Sequence, residues 1–155
     1  MARARERVKR ARDGTYELRL PEVERTVLRS LVDQMRQLVT EDADPGLRRL
    51  YPTAYADDED RDQEYQQLVH GDLKGRRLAA FHVVEDTLES ERVDAEQLAA
   101  WMGALNDIRL VIGTKLDVSE DPSFEIADDD PDVQAWAIYT YCSWLLEQIV
   151  EALNP

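Results

Sequence analysis

Residues 94–116 read DAEQLAAWMGALNDIRLVIGTKL, and this stretch decides the fold class. Asp94 with Gln97 three positions later is a capping-box start, in which each side chain satisfies the other residue's free backbone N–H. On a helical wheel Leu98, Trp101, Met102, Leu105, Ile108, Ile112 and Leu116 share one arc. The spacing predicts a core-facing helix from Asp94 through about Lys115. Arg109 falls inside the apolar arc and Asn106 lies at its edge. A guanidinium facing a core must find a carboxylate or an anion, because an unpaired buried charge is very costly.

The same pattern extends in both directions. Upstream, Leu73, Ala80, Phe81, Val84 and Leu88 form the arc of a helix expected over 73–89, and Arg77 intrudes on that arc. A separate helix is expected over 59–69, with Gly71-Asp72 read as a break and a new cap. Glu22 to Thr40 follows Pro21, a residue favoured at helix starts. Val23, Val27, Leu28, Leu31, Val32, Met35, Leu38 and Val39 fill one half of its wheel. Asp44-Pro45 is expected to cap a short turn of helix ending near Leu50, before Tyr51-Pro52. Downstream, Asp130-Pro131 is expected to open the last helix, which runs to about Leu153.

The N-terminus reads differently. Asp13-Gly14 is a two-residue hairpin signal, and Tyr16, Leu18 and Leu20 alternate with Glu17 and Arg19 as a half-buried strand does. The expected architecture is therefore mainly α. It is a single-domain bundle of about five helices over 22–153, with a short β-hairpin over 8–20 and a flexible basic arm over 1–7.

The chain has 155 residues and a net charge of −14. Residues 1–12 hold six basic residues against Glu6, a net of +5, so the remainder carries −19. Residues 57–64 (DDEDRDQE) contribute −5, and residues 117–132 contribute −8. Both clusters read as solvated, helix-flanking acids that complement helix dipoles. Neither is an EF-hand loop, because the required glycine and glutamate positions hold Gln63 and Val69 in one and Val133 and Tyr139 in the other. A body of −19 argues against a broad nucleic-acid surface. No apolar run reaches the roughly 18 residues of a membrane span. The basic start has no apolar segment after it, so a cytoplasmic protein is expected.

The single cysteine, Cys142, excludes an intrachain disulfide and fits a reducing compartment. It sits at the centre of the last helix's apolar arc and reads as a packed thiol, with a redox role as the sharper alternative and no adjacent positive charge expected. The opposite side of that helix carries Trp136, Tyr141 and Trp144. Such a helix is either central in the bundle or presents these aromatics to a second copy or a protein partner. Arg77, Arg109 and Asn106 read either as internal ion pairs or as an anion site. His70 and His82 read as ordinary surface residues. No metal, cofactor or catalytic constellation is expected, and neither is an enzyme.

Residues 104–116 (ALNDIRLVIGTKL), with Trp101, residues 47–55 (LRRLYPTAY) and residues 68–73 (LVHGDL), resemble an actinobacterial family of small acidic proteins. That domain-of-unknown-function family is encoded near the ClpS protease adaptor and includes AosR-like oxidative-stress regulators. The resemblance implies a cytosolic regulatory interaction protein acting in transcriptional control, through contacts with a sigma factor or related regulator. If the family's switch uses an intrachain disulfide, this sequence departs from it. The residues themselves leave two alternatives open, a DNA-binding regulator using the basic arm and a small-anion-binding protein using the inward-facing arginines.

Overall fold

The computed structural model describes residues 6–41, 57–116 and 133–154, without the side chains of 62–63, 65–72 and 115–116. The element order is β1 (Val8–Arg10), β2 (Tyr16–Leu18), α1 (Glu22–Glu41), α2 (Glu59–Thr87), β3 (Arg92–Val93), α3 (Ala95–Leu116) and α4 (Val133–Leu153). The protein is mainly α with an N-terminal antiparallel sheet. The expected turn over 45–50, the acidic stretch 117–132, the Asp130-Pro131 helix start and residues 1–5 of the arm lie outside the described residues.

Three features of the small sheet differ from expectation or add to it. The hairpin loop holds three residues rather than two. Ala11 N donates to Thr15 O at 2.8 Å, and Gly14 N donates to Ala11 O at 3.3 Å. Gly14 takes φ 88°. This is the type I turn followed by a left-handed residue that three-residue hairpins use. Thr15 closes it by donating N–H and Oγ1–H to Asp13 Oδ1. The hairpin also acquires a third strand, because β3 pairs antiparallel with β2 in the order β1-β2-β3. A two-residue strand has too little length for an alternation signal, yet it supplies the extra pairing that an isolated hairpin lacks. Finally, Val8, Tyr16, Leu18 and Val93 turn inward and join the helical core.

Helix α2 corrects the expected break at Gly71-Asp72: it runs without interruption for 29 residues. Its start is capped by Asp58, whose side chain accepts from Arg61 N at 3.1 Å. A mid-helix glycine costs only about 1 kcal/mol relative to alanine. Packing of the long helix on α1 and α3 outweighs that cost. In α1 the buried residues are Leu28, Leu31, Val32, Met35 and Val39. Val23 and Val27, expected on the buried arc, are instead exposed: the covered face runs through Glu24, Leu28, Leu31, Val32, Met35 and Val39, and these two valines lie to one side of it.

Helix α3 starts as its capping box dictates: Gln97 N donates to Asp94 Oδ1 at 2.7 Å and Asp94 N to Gln97 Oε1 at 2.9 Å. It occupies the middle of the bundle, packed against α1, α2 and α4. Leu98, Trp101, Ala104, Leu105, Ile108 and Val111 are all buried. The indole Nε1–H of Trp101 donates to Thr87 Oγ1 at 2.7 Å, and Thr87 Oγ1–H donates in turn to Val83 O at 2.7 Å. The polar atom that so large a side chain brings into the core is thus satisfied across the α2–α3 contact. No described helix is long and apolar enough to cross a membrane.

Removing the indole is expected to cost about 3–5 kcal/mol in Trp101→Ala. Thr87→Val, which strands the indole N–H, is expected to cost about 1–3 kcal/mol. Urea unfolding measures both, and a Trp101→Ala chain as stable as wild type would contradict the central placement of α3.

Candidate functional site

The inward-facing polar residues divide between the two sides of α3. On one side Asp107, buried against α2, receives the Arg77 guanidinium, with Nε 3.4 Å from Oδ2. Burial pushes the Asp107 carboxyl up to about 6, and the Arg77 charge pulls in the opposite direction without cancelling it. On the other side Arg109 faces α4. Its Nη2 donates to Asn106 Oδ1 at 3.1 Å, while its buried Nε–H has no hydrogen-bond partner among the described residues. Asn106 and Arg109 are thus brought together one turn apart, whereas Arg77 is engaged by Asp107.

Arg109 also corrects the expectation that no positive charge lies near Cys142. Its guanidinium favours the thiolate, but burial is the larger effect, and the thiol is pushed up to about 12. The sulfur is fully enclosed. Thiolate character and access both favour oxidation, and Cys142 has neither in the folded state.

The three aromatics of α4 are occupied within the chain. Trp136 is buried and meets Tyr139 edge-on at 6.2 Å. Tyr141 Oη–H donates to Glu24 Oε1 at 2.7 Å. Burial first, and then this hydrogen bond to a carboxylate, push the Tyr141 phenol upward. Trp144 lies under the Arg7 guanidinium at 5.3 Å, a cation–π distance. Arg7 in turn grips Glu24 through Nε (3.0 and 3.1 Å) and Nη2 (2.9 Å), and its backbone N–H donates to Gln148 Oε1 at 2.6 Å. The Glu24 bond holds the Arg7 guanidinium even more firmly protonated than usual.

This half-buried knot ties the entry of β1 to α1 and α4, and the sequence offers no sign of it. Arg7 reads as one more charge in a basic arm, and Glu24 as a first-turn acid. The partners lie 17, 117 and 141 residues apart, far beyond any local periodicity. His82 behaves as expected, exposed and next to Asp86 at 3.2 Å. No group of three metal-ligating side chains occurs among the described residues. Clefts of about 560 and 480 Å³ open between β1 and α4 and between α1 and α2. Arg77, Asn106 and Arg109 line neither.

The geometry therefore presents interior polar pairs and an entry to β1 that is tied down through Arg7. The resemblance carried by residues 104–116 holds: the family model described as "Domain of unknown function (DUF2017)" matches residues 3–153, and the chain belongs to that family. The chain is similar to proteins named "Oxidative stress regulator AosR" from Mycobacterium bovis and from two strains of Mycobacterium tuberculosis. Each is 26% identical over 128 residues, covering 71% of this chain and 58% of the relative. The chain thus spans little more than half the length of the curated relatives it matches. No solved structure matches it.

Two measurements check this part of the molecule. The folded state holds the Asp107 proton up to about pH 6, against 3.8 for an ordinary aspartate. Its contribution to stability is therefore fully present below pH 3.8 and is lost as pH rises through 6. Carboxyl carbon NMR should show the Asp107 midpoint near 6, moving higher in Arg77→Gln; a midpoint near 4 would remove the burial argument. Iodoacetamide should label Cys142 only in denaturant, and labelling of the native protein at the rate of a free thiol would contradict its enclosure.

Proposed function

We propose that this protein is a regulatory interaction protein of the oxidative-stress response, acting through contacts with the transcription machinery such as a sigma factor. The observation that carries the reading is the similarity to relatives named as oxidative stress regulators. Its charge distribution supports contact with proteins rather than with DNA, since an acidic body repels the phosphate backbone. Regulation in this chain runs by a route other than an intrachain disulfide, because the sequence holds one cysteine. A thiol-gated contact through Cys142 would require α4 to lift from α3, exposing a residue that is enclosed in the folded state.

The test is a pull-down of purified sigma factors by the tagged chain, run under reducing and oxidising conditions beside its Cys142→Ser variant. The expected result is capture that survives the substitution. Loss of capture in Cys142→Ser alone would make the thiol the switch, and absence of capture under every condition would set the sigma-factor reading aside.

A further inference from the structure

Most arginines of the described surface are committed to partners. Arg19 pairs with Glu17, Arg25 and Arg29 share Glu89, Arg36 binds Asp33 and Glu85, and Arg92 binds Asp13 and Glu17. Lys9, Arg10 and Arg12 differ. All three are exposed, all sit on β1 or the loop after it, and none has an acidic partner at ion-pair distance among the described residues. On a protein of charge −14 this places three exposed cations on one short segment. Lys9 already acts electrostatically on Glu17 across the ladder, while Arg10 and Arg12 meet no acid at that range among the described residues.

The backbone beneath them is also open in part. The bonds from Ala11 N to Thr15 O and from Arg19 N to Arg7 O set the phase of the β1–β2 ladder. In an antiparallel pair these bonded positions alternate with unbonded ones, so Val8 and Arg10 turn their N–H and C=O away from β2. Val8 is buried beside α4, which blunts that end of the edge. Arg10 is exposed, and the free edge begins there.

Across the outer face of the sheet, Arg92, Glu17 and Lys9 lie side by side in register, positive, negative, positive. The position beyond Lys9 is complementary to a carboxylate. Beside it opens the cleft of about 560 Å³, floored by Trp144, Gln148 and Ala152 of α4.

We infer that Lys9, Arg10 and Arg12, with the cleft between β1 and α4, form a docking surface for an extended acidic segment of a partner protein. Carboxylates of the segment pair with the three cations, and the Arg10 edge groups meet its backbone. An apolar side chain enters the cleft over Trp144. A peptide fits better than a nucleic acid, because Glu6 and Glu151 also line the cleft. They repel a continuous phosphate chain but tolerate a segment whose charges alternate with apolar residues. A second copy pairing antiparallel along the same edge about Lys9 would set the two Lys9 side chains against each other, which disfavours self-association there. The inference deepens the proposed function and rests on its premise that the chain works by protein contact.

The test uses a fluorescein-labelled peptide of sequence Thr-Glu-Val-Glu-Thr, its Lys-for-Glu counterpart and a labelled DNA duplex, read by anisotropy against the full chain. Two variants accompany the wild type. Lys9→Gln/Arg10→Gln/Arg12→Gln removes the charges, and Arg10→Pro removes an outward N–H that the β1–β2 ladder does not use. Thermal unfolding checks that both remain folded.

The acidic peptide is expected to bind the wild type, more weakly as salt rises, and to lose about tenfold or more in affinity in each variant, a clear difference in binding free energy. The Lys peptide is expected not to bind. No binding of the acidic peptide, or equal binding by folded variants, would overturn the inference. Tighter binding of the duplex would reassign the strip to nucleic acid. Self-association in sedimentation that the triple variant abolishes would reassign it to a second copy. The peptide measurement reads this edge alone, so its failure leaves a sigma-factor contact elsewhere on the surface to be judged by the pull-down.

Discussion

Helix α3 is apolar around most of its circumference, and covering it organises the rest of the molecule. Leu98, Trp101, Leu105 and Ile108 form one buried stripe, and Ala104, Asp107 and Val111 carry the burial well beyond it, more than a single neighbour can cover. Burying them takes α2 on one side and α4 on another, with α1 closing a third. At roughly 1.5–3 kcal/mol for each large side chain removed from water, this one helix supplies a major share of the driving force. The cost of burying the Trp101 N–H is met within the same contact, through Thr87. The sheet is subordinate to this arrangement. Its inward residues Val8, Tyr16, Leu18 and Val93 reach the same core, and α4 packs beside β1.

The charges follow from this layout. Once α3 is central, a polar residue on it must face a neighbouring helix, and Asp107 and Arg109 do so in different directions. Asp107 pairs with Arg77 on α2, at the expense of a carboxyl held partly protonated near neutrality. Arg109 turns toward α4 and Cys142 and is partnered by Asn106. The acids that dominate the composition are mostly peripheral. Those described at the start of α2 are exposed around its capped N-terminus. The N-terminal strip of cations is the exception on the surface, and for that reason it carries the docking inference.

Much of the architecture was legible from residue spacing. The capping box of α3, the extent of α1 and the hairpin near Gly14 come from local rules and appear in the fold, as does the centre of the α4 arc at Cys142, Leu145 and Ile149, whereas Val150 is exposed and Trp136 of the opposite side is buried. The failures share a cause. Gly71 looked like a break because intrinsic propensity was read without the packing that carries α2 through it. Val23 and Val27 looked buried because a wheel shows which half of a helix is apolar but not which part of that half the neighbours cover. β3 escaped notice because two residues hold no periodicity. For the candidate site, spacing singled out Arg77, Arg109, Asn106 and Cys142 as out of place, but not which of them meet.

The sequence by itself determined that this is a mainly helical, acidic protein with a basic N-terminus and one thiol, and it carried the resemblance to the DUF2017 family. Those properties depend on composition, and on patterns that repeat every two or roughly four residues. Only the tertiary structure decided that Arg7 ties β1 to Glu24 and Trp144, that Asp107 rather than Arg109 answers Arg77, and that Lys9, Arg10 and Arg12 make no ion pair among the described residues. Each of those outcomes depends on groups from distant segments meeting within a few ångströms, and helix packing sets such distances where local pattern does not.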